Sequence, residues 1–257
     1  MMRQLPLSFV ERYTSQLHSL TDVARSKLAG ALSRLNADSP NFRDSVAGLF
    51  EYHAQVSAEA AAEIAKAFYQ GASAYLTGEV PEVEAISGFD DNAALAAAYA
   101  IEDSTASRAD MTRQLGNALG YQINRAAGVA TRNCGKQDKR RPKFARVPTG
   151  AETCAWCISM AGLGFHYMSE ETASHTHSGC DCRIVPSFDG SSVDGYDSTY
   201  YRDQWRDAND MRLSGDIPQE VQDRIEAGRE RARERNTPWR DDLNGTEIVM
   251  RWRYGMK

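Results

Sequence analysis

Cys154, Cys157, His177, Cys180 and Cys182 read C-x2-C, then an intervening segment over residues 158 to 176, then H-x2-C-x-C. No other feature restricts the fold as much, because if these side chains meet, the segment between them must close on itself. Four of the chain's 5 cysteines lie here, and Cys134 stands alone upstream. Soft sulfur and nitrogen ligands in two facing knuckles suit a tetrahedral zinc site. Two disulfides, or inert buried thiols, are the alternatives. Disulfides need an oxidising compartment. The start, Met1-Met2-Arg3-Gln4-Leu5-Pro6, has no long apolar core of the kind an export signal carries. The chain is therefore expected in the cytoplasm at synthesis, where thiols stay reduced, and zinc is preferred.

A catalytic zinc keeps an open coordination position and a nearby acid or base. Neither H-E-x-x-H nor the deaminase H-x-E with P-C-x-x-C occurs. A closed, structural Zn2+ site is expected. Cys154 and Cys157 form one pair, and two of His177, Cys180 and Cys182 complete the set. Residues two apart on an extended chain share a side, so Cys180 and Cys182 can both reach one ion. The favoured set is Cys154, Cys157, His177 and Cys180, with Cys182 the main rival. His175, two before His177, is a further candidate, whereas His166 and His53 read as packed or solvated.

The 257 residues carry a formal net charge of −5, which excludes a chain that is basic throughout. No apolar run approaches the ~20 residues of a membrane span, so no membrane role is expected. Residues 1–135 read as helical. Val10, Tyr13, Leu17, Leu20, Ala24, Leu28, Ala31 and Leu35 recur at three- and four-residue steps, as on one helix face. Asn36 to Pro40 breaks that stripe. A second runs from Phe42 through Val46, Leu49, Val56, Ala60, Ile64 and Ala67 to Tyr75. A loop spans Gly78 to Gly88, and a third stripe extends from near Asn92 through Met111, Leu115, Leu119, Ile123 and Ala126 to Ala130. These faces are rich in Ala, so the core is expected to be thin, and residues 1–75 are expected to offer a docking surface through Leu17, Leu20 and Leu28.

Residues 136–146 form a basic linker. Residues 147–190 form the Cys/His zinc module, with short strands expected at Gly164 to Tyr167 and Arg183 to Pro186. Residues 191–257 form a C-terminal extension. In it, Pro218 to Arg235 reads as a charged helix, and the alternation of Ile248, Met250, Trp252 and Tyr254 with Val249, Arg251 and Arg253 predicts a terminal strand. The expected class is α+β, mainly α: an antiparallel helical region followed by a small zinc-stapled α+β module.

Arg146-Val-Pro-Thr-Gly150, Thr153-Cys154-Ala-Trp-Cys157, Gly164-Phe-His-Tyr167, Ser169-Glu-Glu-Thr172, His177-Ser-Gly-Cys180-Asp181-Cys182, Val185-Pro186 and Gly195-Tyr196-Asp197 follow in a fixed order. This order resembles the MuF-like minor capsid, or head morphogenesis, proteins of tailed bacteriophages, in the type found in actinobacteriophages. The resemblance covers roughly residues 144 to 200. It implies a low-copy virion protein in the capsid interior, present in the host cytoplasm during assembly. It also implies partners in the portal protein and the major capsid or scaffold protein, and a part in head assembly and genome packaging. A family histidine directly before the third cysteine is replaced here by Gly179, which favours His177 as a ligand. No enzyme mechanism is expected.

Two other functions compete. A DNA-binding packaging or ejection factor would use the basic linker and the C-terminal arginines. An effector enzyme of the ADP-ribosyltransferase kind needs Glu-x-Glu, for which Glu82-Val83-Glu84 is the match, in a loop that contains Pro81.

Overall fold

Apolar residues at three- and four-residue steps build the first helix, α1 (Leu7–Ser33), which buries Val10, Tyr13, Leu17, Ala24, Leu28 and Leu32. Thr14 and Thr21 lie on the same face, and each hydroxyl bonds back to the carbonyl four residues earlier, at 3.1 and 2.8 Å, so the buried oxygens are satisfied. The computed structural model describes residues 3–150, 153–177 and 179–256. Asn41 opens the longest helix, α2 (Phe42–Thr77), and Gly78, in the left-handed conformation, closes it.

The third apolar stripe becomes two helices, α3 (Asp91–Ser104) and α4 (Arg108–Gln137), instead of one. The break is local chemistry. Thr105 is extended, and the Ser107 hydroxyl accepts the Asp110 N–H at 3.1 Å, which caps a fresh helix. Asp90 caps α3 in the same way through Ala93.

The thin core expected of Ala-rich helices is corrected by the packing of α2 on α4. Ala54, Ala58, Ala61, Ala62 and Ala65 of α2, with Ala126, Ala127 and Ala130 of α4, are buried. Small side chains let these helices approach closely, and the larger groups Leu17, Leu28, Leu32, Phe50, Leu115, Leu119 and Ile123 fill the space around them. Tyr13 stacks on Phe68 with ring centroids 4.2 Å apart. Leu17 and Leu28 are fully buried, and Leu20 packs against the same core. The stripe read as a docking face is therefore the inside of the molecule.

After α4 the chain forms β2 (Lys143–Val147), which pairs antiparallel with β3 (Arg183–Ser187) in the register Phe144 to Pro186 and Val147 to Arg183. Near the N-terminus, β1 (Gln4–Leu5) pairs in parallel with β4 (Ser192–Val193). Ala145, Val147, Val185 and Val193 belong to the same core as α1, α2 and α4. The segment read as a basic linker is thus the end of α4, a turn and β2. In it Arg140 turns inward, bonding to Asp138, Ser73 and Thr77 and lying over the Phe188 ring. Of the two expected short strands, β3 forms, whereas residues 164–167 contribute a single bridge between His166 and Phe144.

A second layer holds α5 (Ala155–Ala161), α7 (Ser198–Ser214), α8 (Gln219–Glu234) and α9 (Thr246–Tyr254) around Ile158, Ala208, Val221, Ile225, Val249 and Met250. α7 turns Tyr201, Trp205, Ala208 and Met211, spaced at three- and four-residue steps, toward this cluster, and of these Ala208 is fully buried. The terminal strand expected at 248–254 is a helix, α9, entered through a π turn at Asp241–Gly245. Thr246, Val249 and Met250 are buried together, the i, i+3, i+4 pattern of a helix. A short amphipathic run satisfies either period, and here its neighbours are α5, α7 and α8, which offer no sheet edge to pair with. Among the described residues no helix is long and apolar enough to cross a membrane.

Candidate metal centre

The short helix α5 brings the first knuckle into place. Cys154 is its N-cap and accepts the Cys157 N–H at its sulfur, 3.4 Å away. The second knuckle is a turn in which the Cys180 N–H donates to the His177 carbonyl at 3.1 Å. Between them runs α6 (Glu170–Ser174), capped by Ser169 through the Thr172 N–H. The loop closes because α6 lies directly on α4. Gly128 makes this possible: a β-carbon there would collide with the Ala173 carbonyl.

The sulfurs of Cys157, Cys180 and Cys182 all lie within 4.8 Å of one another, and all three residues are buried. Cys157 and Cys180 are 3.7 Å apart, sulfur to sulfur. Four thiolates around one ion at a bond length near 2.3 Å would sit about 3.8 Å apart. All five cysteines are free thiols. Cys154, half-buried, hydrogen-bonds to the Cys157 thiol and to the His177 ring. Of the five residues picked out by the spacing, Cys157, Cys180 and Cys182 come together, and Cys154 and His177 join them through the Cys154–Cys157 hydrogen bond. Cys182, the rival in the sequence, lies within the buried triad, while His177 lies at the exposed rim beside Cys154. This arrangement can hold a metal ion.

The remaining candidates are elsewhere or otherwise engaged. His175 stacks on Trp156 with centroids 3.7 Å apart. His166 turns Nδ1 to the Gly164 carbonyl at 3.0 Å. His53 sits half-buried against Tyr52. Cys134 is buried in α4, where burial pushes its thiol up to about 11. Glu82 to Glu84 lies in an extended segment strapped to α4, with the Glu84 N–H donating to Gln137 at 2.9 Å.

Without a cation the four thiols share protons. Cys154 is drawn down to about 4 by its hydrogen bond with Cys157, against burial and with help from His177. Cys180 is lowered by hydrogen bonds with Cys157 and Cys182, against burial and with help from the Arg146 charge. Cys157 is raised by those same hydrogen bonds to Cys154, Cys180 and Cys182, and by burial. Cys182 is lowered by Cys157, but its hydrogen bond to Cys180 and its burial outweigh this and raise it. These hydrogen bonds thus favour the thiolate form at Cys154 and Cys180 and the thiol form at Cys157 and Cys182. A divalent cation would displace the retained protons.

Two arginines that spacing alone does not single out test whether an ion fits. Arg146 and Arg183 are 2% and 4% exposed, and neither forms an ion pair among the described residues. A buried cation is costly without a countercharge. Arg183 donates to the carbonyls of Cys180 and Cys182, both at 3.0 Å, and to Asn124 of α4 and Thr14 of α1. Asn124 in turn donates to the His177 carbonyl at 3.3 Å. Arg146 donates to the carbonyls of Thr172 and His175 and lies over the Trp156 ring at 4.8 Å. Arg146 Nε and Arg183 Nη2 are buried with no hydrogen-bond partner among the described residues. A thiolate-bound divalent ion has net negative charge, which these guanidinium groups would balance. The donor set and its surroundings fit a metal. A signal in the sequence was there: Arg146 stands between Ala145 and Val147 within β2, and Arg183 opens β3 directly before Ile184 and Val185.

Comparison with known proteins agrees with a phage origin. The Gene 15 protein of Mycobacterium phage L5 is 29% identical over 37% of this chain and 42% of its own length. The Gene 15 protein of Mycobacterium phage D29 is 35% identical over 18% of this chain and 28% of its own. The chain thus spans less than half the length of these relatives. No solved structure matches it. The family model for VG15 protein matches residues 6–208, which takes in the helical core, the cysteine centre and the first part of α7. The chain belongs to the VG15 protein family, a family with members in bacteriophages.

Proposed function

We propose that this chain is a structural minor capsid protein that acts in head morphogenesis at the portal or inner capsid, with one structural Zn2+ held by Cys154, Cys157, Cys180 and Cys182. The observation that carries the reading is the cysteine centre. Its sulfur triad is buried, and Arg183, Asn124 and Thr14 tie the second knuckle to the helical core. Such a centre suits a folding role, because metal-binding free energy becomes folding free energy. Membership of a family with phage relatives supports a place in the particle. The role is architectural and not enzymatic. Its partners are the portal protein and the major capsid or scaffold protein.

Mass spectrometry of purified particles tests the placement. The protein is expected at a few copies per particle, and cross-linking is expected to join it to the portal. Its absence from particles, with heads assembling normally when its gene is deleted, overturns the proposal. Elemental analysis of the purified chain is expected to give about one zinc per chain.

A further inference from the structure

Three arginines of α8 and its C-cap share one face. At 100° per residue, Arg224, Arg231 and Arg235 fall within about 40° of one another, and along the axis they are spaced by about 10 and 6 Å. The helix's acids Asp223, Glu226, Glu230 and Glu234 are turned about 80° or more from that line, and Glu220, one turn before Arg224, ends the stripe. Across from it stands Arg251 of α9. Together with Thr237, Trp239, Asn244 and Ile248 these residues line a cleft of about 420 Å3, the lining of which includes a single carboxylate, Glu247.

Three observations separate this cleft from an ordinary solvated helix face. First, the Arg224, Arg231 and Arg235 side chains make no hydrogen bond or ion pair among the described residues. Their neighbours Arg229, Arg240 and Arg253 are each paired, with Asp241, Asp242 and Asp207. Secondly, the floor is fixed. The Trp239 ring packs onto Gly228, where a β-carbon would meet it at 2.6 Å, and the indole N–H is already bonded to Asp241. Thirdly, all four cations are arginines, whose planar forks bind phosphate in a bidentate manner.

The aromatic in the lining, Trp239, is half-buried, packed on Gly228 and bonded to Asp241, so it forms the floor of the cleft and not a protruding anchor of the sort that carries protein interfaces. Its other donors are the Thr237 hydroxyl and the Asn244 amide, the groups that commonly meet phosphate oxygens. We propose that the α8–α9 cleft binds the phosphodiester backbone of DNA without regard to sequence, through Arg224, Arg231, Arg235 and Arg251. All four arginines lie beyond residue 208, where the family match ends. The site therefore lies outside the matched residues, and it stands whether or not the capsid proposal does. It also differs from the basic run at 136–146, in which Arg140 and Arg146 are committed to the interior.

The test is fluorescence anisotropy with the full zinc-loaded chain and two unrelated duplexes of about 24 base pairs, from about 50 to 300 mM salt. Equal binding of both duplexes is expected. Replacing Arg224, Arg231 and Arg235 together by Gln is expected to lower the slope of log K against log salt by about 2.7, near 0.9 for each lost phosphate contact. It should also weaken binding at least tenfold. The single variant Arg231→Gln, with a slope lower by about 0.9, carries the test if the triple variant melts early. Lys136→Gln with Lys139→Gln and Lys143→Gln is expected to leave the slope within one contact of the parent. No binding by the parent, an unchanged slope in both arginine variants, or loss confined to the lysine variant overturns the proposal. So does polyglutamate that competes as well as DNA at equal charge, which would make the partner an acidic protein.

Discussion

At the residue scale, what the cysteine centre requires is visible in its neighbours as well as in its ligands. Cys182 is buried in the sulfur triad, whereas His177 reaches only Cys154 at the rim. Replacing Cys182 by Ser is therefore expected to lower zinc affinity by one to two orders of magnitude more than replacing His177 by Ala. Competition with a chromophoric chelator measures the difference, and a larger loss in His177→Ala would return His177 to the ligand set. A second site responds to pH. Asp138 is buried, and hydrogen bonds from Arg140 and Tyr69 hold its carboxyl below the usual range despite the opposing effect of burial. The depressed value means that this stabilisation is present above the unfolded-state value of about 3.9 and disappears as pH falls through the folded one. In Asp138→Asn, unfolding free energy measured from neutral pH downward is expected to start lower than in the parent and to lose part of its acid dependence.

At the scale of elements, the contacts between helices decide where the centre sits. Gly128 lets the Ala173 carbonyl lie against α4, and α6 carries the chain from there into the second knuckle. Gly128→Ala is expected to cost about 1–3 kcal/mol by overpacking and to weaken metal binding, because α6 must move outward. Thermal melts with and without chelator would show both effects, and an unchanged melt would mean that the loop has slack. α1 makes the opposite point. Its Leu17 and Leu28 stripe is core, so Leu17→Ala is expected to cost about 2–5 kcal/mol in the isolated protein, read by denaturant unfolding. Deleting residues 1–75 would dismantle this core, so it cannot separate docking from folding.

At the scale of the molecule, two layers meet across α5. One is the core shared by α1, α2, α4 and the β2–β3 ribbon, and the other is the α5, α7, α8 and α9 cluster. The cysteine centre lies where they join. Arg183 bonds to α1, to α4 and to the second knuckle at once. The ribbon of the cysteine module is thus built into the main core instead of hanging from it.

Local chemistry made part of this legible in the sequence. C-x2-C and H-x2-C-x-C bring ligands together within a few residues, and apolar steps of three and four specify α1 and α2 without reference to anything distant. The Ser107 cap that divides α3 from α4 was also written locally, but a continuous apolar stripe masked it. Other features depend on partners far along the chain. Cys182 rather than His177 completes the buried triad because Arg183, beside it in sequence, is held by Thr14 and Asn124. Residues 246–254 become a helix because helices surround them, although their alternation suits a strand equally well. The same choice brings Arg251 opposite the α8 arginines. Periodicity reports which residues can share a face. Only packing decides what that face meets, because burial, countercharge and close approach are properties of pairs.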